Sequence, residues 1–355
     1  MDCENALLQR RTDNSQGKIN LVRNLNIYFA CVNLPNLYRR IIEKSCQFCN
    51  MSTVLITGGT GMVGKALTIA LKERGYDVII LTRNLPSLTN SKQIRYAQWD
   101  IYKQTIDEWA IKEADYIIHL AGASLAEKRW SSNRKKEIVN SRVESGRLIV
   151  ESLKTIPNKV KAVLCASATG WYGSDAESNQ KEFTEADPAA EDFLGQTCMQ
   201  WEAAIAPVLN LNIRLCTLRI GIVLSNDGGA LKKFRKPLRF GIATILSSGE
   251  QFLSWIHIDD LVRMFLFMMD NENLSGVYNA VSPNPITNKQ LILEIAKNER
   301  GRNFIPIHVP GFALKIRLGE MSTELLKSFT VSAEKISGAG FIFQYPTIKA
   351  ALQQS

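Results

Sequence analysis

The sequence predicts an α/β fold: a doubly wound parallel sheet followed by a smaller C-terminal α+β region. Short apolar, β-branched runs without polar alternation recur between residues 54 and 219, as in strands that are buried on both faces. Segments with the helical period separate these runs, and strands that alternate with helices at such lengths form parallel sheets. From Phe304 onward the pattern changes to short pieces, with Pro306 and Pro310 near the start of the region.

The first strand, turn and helix form the most informative stretch. Val54–Thr57 is apolar, three glycines follow at 58, 61 and 64, and helical periodicity continues through Leu67. Such glycines let the backbone approach a pyrophosphate, and the helix N-terminus offers free N–H groups, so a Rossmann-like dinucleotide site is predicted. The alternative is a tight turn without a ligand. The predicted cofactor-binding residues here are Thr57, Gly58, Gly59, Thr60, Gly61, Met62, Val63 and Gly64.

The second strand, Asp77–Thr82, is followed by Arg83 and contains no carboxylate at its carboxyl end. In this architecture a carboxylate there binds the ribose of NAD, whereas an arginine accommodates the 2′-phosphate of NADP. We therefore expect NADP(H) as the cofactor, with NAD(H) less favoured and Arg83 among its ligands. The alternative is an arginine that only faces solvent.

Two further strands are expected to contact the cofactor. The strand over residues 94–101 ends in Asp100 and Ile101, which we place against the adenine. The run 115–122 ends in Leu120, Ala121 and Gly122, three small or apolar residues that we place against the nicotinamide ribose. His119 lies inside this apolar run and is interpreted as a core histidine.

The remaining pattern completes the sheet and then changes character. Residues 225–257 are expected to be loop-rich because Gly228, Gly229, Gly241 and Gly249 separate short pieces. A capping box at Thr287 predicts the start of another helix. Further predicted elements are helices over 131–154, about 190–206 and 260–270, and strands at Val160–Ser167 and Ile213–Arg219.

Composition excludes several classes of function. The net charge of +9 is spread along the chain, with Arg134–Lys136 the tightest basic cluster, and no basic stripe is interleaved with aromatic residues. Nucleic acid is therefore not an expected partner. No apolar run approaches the roughly 20 residues of a membrane span, so no membrane is expected either. The expected partner is a small-molecule substrate, and the sequence leaves the oligomeric state open.

Residues 1–50 form a leader that lacks clear periodicity, and we expect it to be poorly ordered and dispensable, with Met51 as the functional start. Cys46 and Cys49 lack further ligands at matching spacing, so no metal site is predicted. Cys165, Cys198 and Cys216 lie in apolar surroundings, which indicates reduced thiols and a cytoplasmic protein. We divide the rest into a nucleotide-binding domain at 51–302 and a small C-terminal domain at 303–355.

Several stretches between residues 52 and 352 together carry a family resemblance. They are Thr57–Gly64, His119–Gly122, Lys128–Trp130, Ser141–Arg142, Ser167–Gly173, Trp201–Ala204, Trp255–Asp260, Leu318–Glu320 and Gly340–Pro346. Through them the chain resembles an atypical extended short-chain dehydrogenase/reductase of the NAD-dependent epimerase/dehydratase family. Within that family it is similar to sugar-epimerase-like proteins with a short C-terminal domain of unknown function.

The resemblance implies a catalytic Tyr and Lys one helical turn apart, plus a Ser at the end of the fifth strand. Counting back from Glu202, which matches a family glutamate, the pair falls on Leu194 and Cys198, and a shift of one residue gives Phe193 and Thr197. Neither register supplies a phenol or an amine. Ser167 fits the serine position, and Tyr172 could supply a hydroxyl. These two residues are the predicted catalytic pair, and a structural role is the alternative for both.

Three other side chains were weighed. A Cys198 thiolate would need a neighbouring cation that the sequence does not name. His257 is interpreted as fixing the loop before helix 260–270, with Asp259 or Asp260 as the helix cap. Arg219 could face a substrate anion or pair with a neighbouring residue.

The sequence leaves two functions open. The first is an NADP(H)-dependent oxidoreductase or epimerase that acts on an unidentified small carbonyl or nucleotide-sugar-like substrate with an unusual acid/base group. The second is a nucleotide-binding protein with little or no turnover that serves sensing or interaction. The missing Tyr–Lys pair favours the second function, whereas the glycine turn and Ser167 fit both. The largely intact cofactor site favours the enzyme, because it suggests redox use.

Overall fold

The computed structural model describes residues 52–85, 93–174 and 182–353. The leader and its Cys46–Cys49 pair lie outside these ranges. The strands are β1 (Thr53–Thr57), β2 (Asp77–Thr82), β3 (Ile94–Asp100), β4 (Thr105–Ile106), β5 (Tyr116–His119), β6 (Ala162–Ala168), β7 (Arg214–Ile220), β8 (Ile222–Ser225), β9 (Ile242–Leu246), β10 (Phe252–Leu253), β11 (Trp255–His257), β12 (Gly276–Ala280), β13 (Ile286–Thr287) and β14 (Ile305–Val309).

The helices lie between and after these strands. They are α1 (Met62–Glu73), α2 (Glu108–Glu113), α3 (Ser132–Thr155), α4 (Phe193–Ile205), α5 (Gly229–Leu238), α6 (Ile258–Asp270), α7 (Asn288–Arg300), α8 (Gly311–Leu318), α9 (Met321–Leu326), α10 (Glu334–Gly338) and α11 (Ile348–Gln353). None of the helices within the described ranges is long and apolar enough to cross a membrane.

The main sheet has the strand order β12-β7-β6-β5-β1-β2-β3-β4. All neighbours pair in parallel except β3 with β4. The chain moves outward from β1 through β2 to β3, then returns to the other side of β1 at β5. The strand order therefore reverses between β1 and β5, and the carboxyl ends of these two strands border a crevice. The predicted doubly wound α/β fold is confirmed.

Helices cover both faces of the sheet, and β1 shows why its sequence lacks polar alternation. Val54 and Ile56 lie in one apolar cluster with residues of α1 and α6, whereas Leu55 lies in a second cluster with residues of α3 and α4. All three side chains are fully buried. Both faces of β1 are therefore core, as expected for a central parallel strand.

The loop-rich prediction for residues 225–257 is wrong. This segment contains α5, β9 and β11, whose apolar residues join a third cluster with α7 and α11. Gly229 begins α5 with a φ of +67° and does not separate two loops. The apolar positions of α5 pack against β9, the next strand along the chain, and against α7, which begins only at Asn288.

The C-terminal segment is joined to the rest of the structure through Asp260. This buried carboxylate accepts hydrogen bonds at 2.8 Å from the backbone N–H groups of Gln344 and Tyr345, and the Tyr345 ring lies 4.1 Å from that of His257. The predicted cap of α6 is also corrected. His257 is the N-cap itself, because its Nδ1 accepts from the Asp259 N–H at 3.3 Å.

Candidate functional site

The turn between β1 and α1 requires glycine. A Cβ atom on Gly64 would lie 2.4 Å from the Gly58 carbonyl oxygen and 2.5 Å from the Gly59 Cα. Gly58 has a φ of +70°, and a Cβ there would lie 3.0 Å from the Leu120 carbonyl at the end of β5. Helix α1 follows Gly61 without a side-chain cap, so its first N–H groups can bind an anion.

A cleft of about 430 Å³ lies beside this turn, at the carboxyl ends of the central strands. Its position between β1 and β5 is where open α/β sheets bind ligands. Among the predicted cofactor residues, those that line the cleft are Gly58, Thr60, Gly61, Arg83, Ile101, Leu120, Ala121 and Gly122. The glycine turn, the β2 end and the β5 end therefore meet at one site.

Other predicted cofactor residues stand behind the lining. Thr57 is fully buried, and its Oγ1 accepts from the N–H groups of Leu120 and Ala121, each at 3.1 Å. Thr57 therefore positions two lining residues and does not line the cleft. Gly59, Met62, Val63 and Gly64 are also absent from the lining, because they pack the turn against the sheet and α1 against its neighbours.

Asp100 does not reach the cleft with its carboxylate, contrary to the expected adenine contact. Its Oδ1 accepts from the backbone N–H groups of Tyr102 at 2.9 Å and Lys103 at 3.1 Å. These backbone hydrogen bonds lower the pKa of Asp100, and the one from the Lys103 N–H has the largest effect. Asp100 shapes the turn after β3, while Ile101 and Tyr102 line the cleft.

Sequence reasoning missed the far wall of the cleft, which comes from α3 and the loop before it. Ser124, Glu127, Arg134, Glu137 and Ser141 line it. Arg134 is buried, and its Nη1 donates to Glu137 at 2.7 Å. The sequence feature that could have indicated this wall is the basic cluster that contains Arg134. From composition alone such a cluster is interpreted as a surface feature.

His119 is a core histidine, as interpreted from the sequence. It is fully buried, with Nδ1 at 2.8 Å from Thr57 Oγ1 and Nε2 at 3.3 Å from Ser145 Oγ. Burial, together with the nearby charge of Arg142, lowers the pKa of His119 to about 3. The ring is therefore neutral at physiological pH and holds the end of β5 against β1.

Ser167 belongs to a buried polar network at the ends of β6 and β7. Its hydroxyl donates to Glu202 Oε1 at 2.6 Å. Arg219 grips the same carboxylate with two bonds, Nε to Oε1 at 2.9 Å and Nη2 to Oε2 at 3.0 Å. Of the two roles weighed for Arg219, the structure supports the ion pair. Its guanidinium also lies 3.5 Å above the Trp171 ring.

The structure argues against the predicted catalytic role of Tyr172. The side chain is fully buried, its hydroxyl donates to Asn279 Oδ1 at 2.7 Å, and the hydroxyl oxygen accepts from Arg219 at 3.1 Å. Burial raises the pKa of Tyr172 to about 12, so the phenol stays protonated. The hydroxyl has both partners inside the protein, and its role is to join β7, β12 and the 3₁₀ turn that follows β6.

The α4 positions where the resemblance leads us to expect Tyr and Lys are apolar. Leu194 packs against Gly170, and Cys198 lies in the core. Burial raises the pKa of Cys198 to about 12, which excludes a thiolate nucleophile at neutral pH. Among the described residues, no cluster of three His, Cys, Asp or Glu side chains could hold a metal ion.

The fold and the cleft define a nucleotide-binding protein with a Rossmann-like sheet. Residues 54–280 match the NAD-dependent epimerase/dehydratase family, and residues 309–355 match a domain of unknown function, DUF1731. The chain therefore belongs to the NAD-dependent epimerase/dehydratase family. It is an atypical short-chain dehydrogenase/reductase, as the sequence motifs indicated.

Comparison with individual proteins agrees with this assignment. Epimerase family proteins of Staphylococcus aureus (strain MRSA252) and Staphylococcus haemolyticus (strain JCSC1435) are 36% and 35% identical, each across 85% of this chain and 98% of its own length. The human epimerase family protein SDR39U1 (isoform 2), solved with NADPH, is 27% identical. It aligns with a TM-score of 0.73 over 85% of this chain and 98% of its own.

A second solved structure is the nucleoside-diphosphate sugar epimerase from Corynebacterium glutamicum. It is 28% identical with a TM-score of 0.67, and the match covers 85% of this chain and 57% of the other. The chain is thus epimerase-like over most of its length.

Proposed function

We propose that this chain binds NADP(H) in the cleft and acts as an epimerase or oxidoreductase on a small carbonyl or nucleotide-sugar-like substrate. The observation that carries the cofactor assignment is Arg83, which lines the cleft at the end of β2 where this strand has no carboxylate. A guanidinium there is suited to a 2′-phosphate. The similarity to a protein solved with NADPH supports the same choice.

The residues present fit such a cofactor. A Cβ atom at Gly58 or Gly64 would crowd neighbouring backbone atoms, and the uncapped start of α1 would hold the pyrophosphate with backbone N–H groups. Leu120–Gly122 would lie along the ribose. A nicotinamide dinucleotide supplies hydride transfer when bound. The protein's own part is to orient the substrate and move its proton.

Arg83→Ala tests the choice of cofactor. We expect NADPH to bind about 10- to 150-fold more weakly, because a charge-assisted hydrogen bond of ~1.5–3 kcal/mol is lost, while NADH affinity changes little. Titration of nicotinamide fluorescence measures both affinities. Arg95→Ala is the matched control, since Arg95 pairs with Glu113 at 2.6 Å and does not line the cleft. Equal weakening of NADPH and NADH would place Arg83 outside the phosphate site.

We further propose that Ser167 receives the substrate proton. Its own proton is directed to Glu202, so its oxygen keeps lone pairs that could accept from a substrate hydroxyl. The side chain is 2% exposed and does not line the cleft, so this role requires that substrate binding expose the Ser167 hydroxyl. When a substrate alcohol is oxidised, its O–H proton would move to Ser167 Oγ as the serine proton moves to the Glu202 carboxylate. In carbonyl reduction both transfers run in reverse, from a protonated Glu202 through Ser167 to the substrate oxygen. Ser167 is near the end of β6, the strand next to β5. This arrangement would replace the absent Tyr–Lys pair.

Ser167→Ala is expected to lower turnover about 10²–10⁴-fold, the usual contribution of a positioned acid/base group, and to leave NADPH affinity unchanged. Single-turnover oxidation of bound NADPH, followed by stopped-flow fluorescence against a panel of carbonyl compounds, measures the effect. Ser152→Ala is the control, because this buried hydroxyl donates to Leu148 O inside α3. Full activity of Ser167→Ala, once a substrate is known, would contradict the assignment.

The second candidate function, a nucleotide-binding protein with little turnover, is favoured by one observation. The helix positions that carry the Tyr and Lys of related enzymes present Leu194 and buried Cys198. The stopped-flow experiment separates the two functions. Oxidation of bound NADPH by any carbonyl compound supports the enzyme, and tight binding without oxidation across the panel supports the second function.

A further inference from the structure

Helix α5 carries an unusual concentration of positive charge on one side. Lys232, Arg235, Lys236 and Arg239 occupy positions i, i+3, i+4 and i+7 and therefore share one face. The opposite side of the helix is apolar, with Leu231 and Leu238 buried in the third cluster. The cationic face is fixed in orientation by that packing.

These four cations line a pocket of about 420 Å³, and Asn226 supplies the remaining lining residue. No carboxylate lines it. Arg235 contacts Glu299 of α7 from one side. Within the described part of the chain, Lys232, Lys236 and Arg239 form no ion pair. Among the residues that the structure describes, three of the four cations thus have no partner of opposite charge.

A further cation stands close to this pocket. Arg300 donates from Nε to the Leu238 carbonyl at 2.9 Å, at the C-terminal end of α5. Like charges held on one helix face repel each other, by an amount that falls with ionic strength. The pocket is therefore electrostatically unfavourable when empty, and a bound polyanion would remove the repulsion.

We propose that this pocket is an anion site that binds a small phosphorylated ligand. Guanidinium and ammonium groups together are the usual protein ligands of phosphate. The volume lies in the range of small-molecule pockets, and its walls carry no aromatic side chain on which a base could stack. These features favour a phosphate group over a nucleic acid strand.

The anion site is separate from the dinucleotide cleft. The two share no lining residue. On the same helix, Lys233 points in another direction, where its Nζ donates to the Ala126 carbonyl at 2.9 Å, in the loop that leads to Glu127 of the cleft. The proposed site is therefore additional to the cofactor site and independent of whether NADP(H) binds there.

The test is calorimetric titration of the full chain with inorganic pyrophosphate at low ionic strength, with and without NADPH. With NADPH bound in the cleft we expect one saturable site, about tenfold weaker in Lys236→Gln and lost in a Lys236→Gln/Arg239→Gln double variant. Without NADPH the glycine turn offers pyrophosphate a second site, which the double variant should keep. Lys233→Gln is the matched control, with the same charge change on the same helix, and should alter affinity less than twofold. Binding should weaken as salt is added.

Thermal unfolding gives a second readout that does not depend on heat signals. With saturating NADPH present, pyrophosphate should raise the melting temperature of the wild type but not that of the double variant, and the double variant should be at least as stable as the wild type in phosphate-free buffer. Absence of saturable binding, or equal affinity in the double variant, would overturn the proposal. Binding to phosphatidylserine vesicles in preference to pyrophosphate would also overturn it and identify a membrane surface.

Discussion

Glu202→Ala is expected to lower the free energy of unfolding by about 3–5 kcal/mol. Arg219 is only 3% exposed and forms two hydrogen bonds with this carboxylate. Without Glu202 the guanidinium remains buried and loses its counter-charge, and the hydroxyl of Ser167 loses its acceptor. Chemical denaturation of wild type and variant measures the difference.

The control for this experiment is Glu113→Ala. It removes the partner of Arg95, an ion pair on the surface at 2.6 Å, and exposed pairs contribute at most about 1 kcal/mol. Glu202→Gln should fall between the two, because the amide keeps an acceptor for Ser167 but not the negative charge. A loss below about 1 kcal/mol in Glu202→Ala would show that the network is not held by the ion pair.

Acidification is expected to destabilise the fold through His119. Its pKa is lowered to about 3 in the folded protein by burial and by Arg142, against an ordinary value of 6.5. Between these two pH values, His119 therefore binds a proton in the unfolded state but not in the folded state. The stabilising effect is complete above pH 6.5 and decreases as the pH falls towards 3, by about 1.4 kcal/mol per pH unit.

The measurement is the free energy of unfolding between pH 7 and pH 5, before most carboxylates titrate. His119→Gln should reduce the slope of the free energy of unfolding against pH by the equivalent of about one bound proton, whatever its effect on stability at pH 7. His257 adds to the wild-type slope in the same direction, because burial lowers the pKa of this group also. An unchanged slope in His119→Gln would contradict the buried neutral state of that ring.

The central sheet and one side of the cleft could be predicted from the sequence alone. Interactions between residues close in sequence dictate these features. They could therefore be recognised as the strand at Val54–Thr57, the glycines after it and Arg83. A strand buried on both faces must be apolar throughout, and Gly64 must lack a Cβ to pack on the Gly58 carbonyl. The capping box at Thr287 was found for the same reason, since both of its hydrogen bonds lie within four residues.

The roles of the polar side chains could be assigned only once their partners in the folded protein were known. Tyr172 looked like a free hydroxyl, but its partner Asn279 lies 107 positions along the chain. Arg134 belongs to the tightest basic cluster of the sequence, yet in α3 its side chain is buried and lines the cleft. The chemistry of a hydroxyl or a charge depends on its burial and its partner. For these residues both are supplied by distant segments, whose approach is set by packing and not by local sequence.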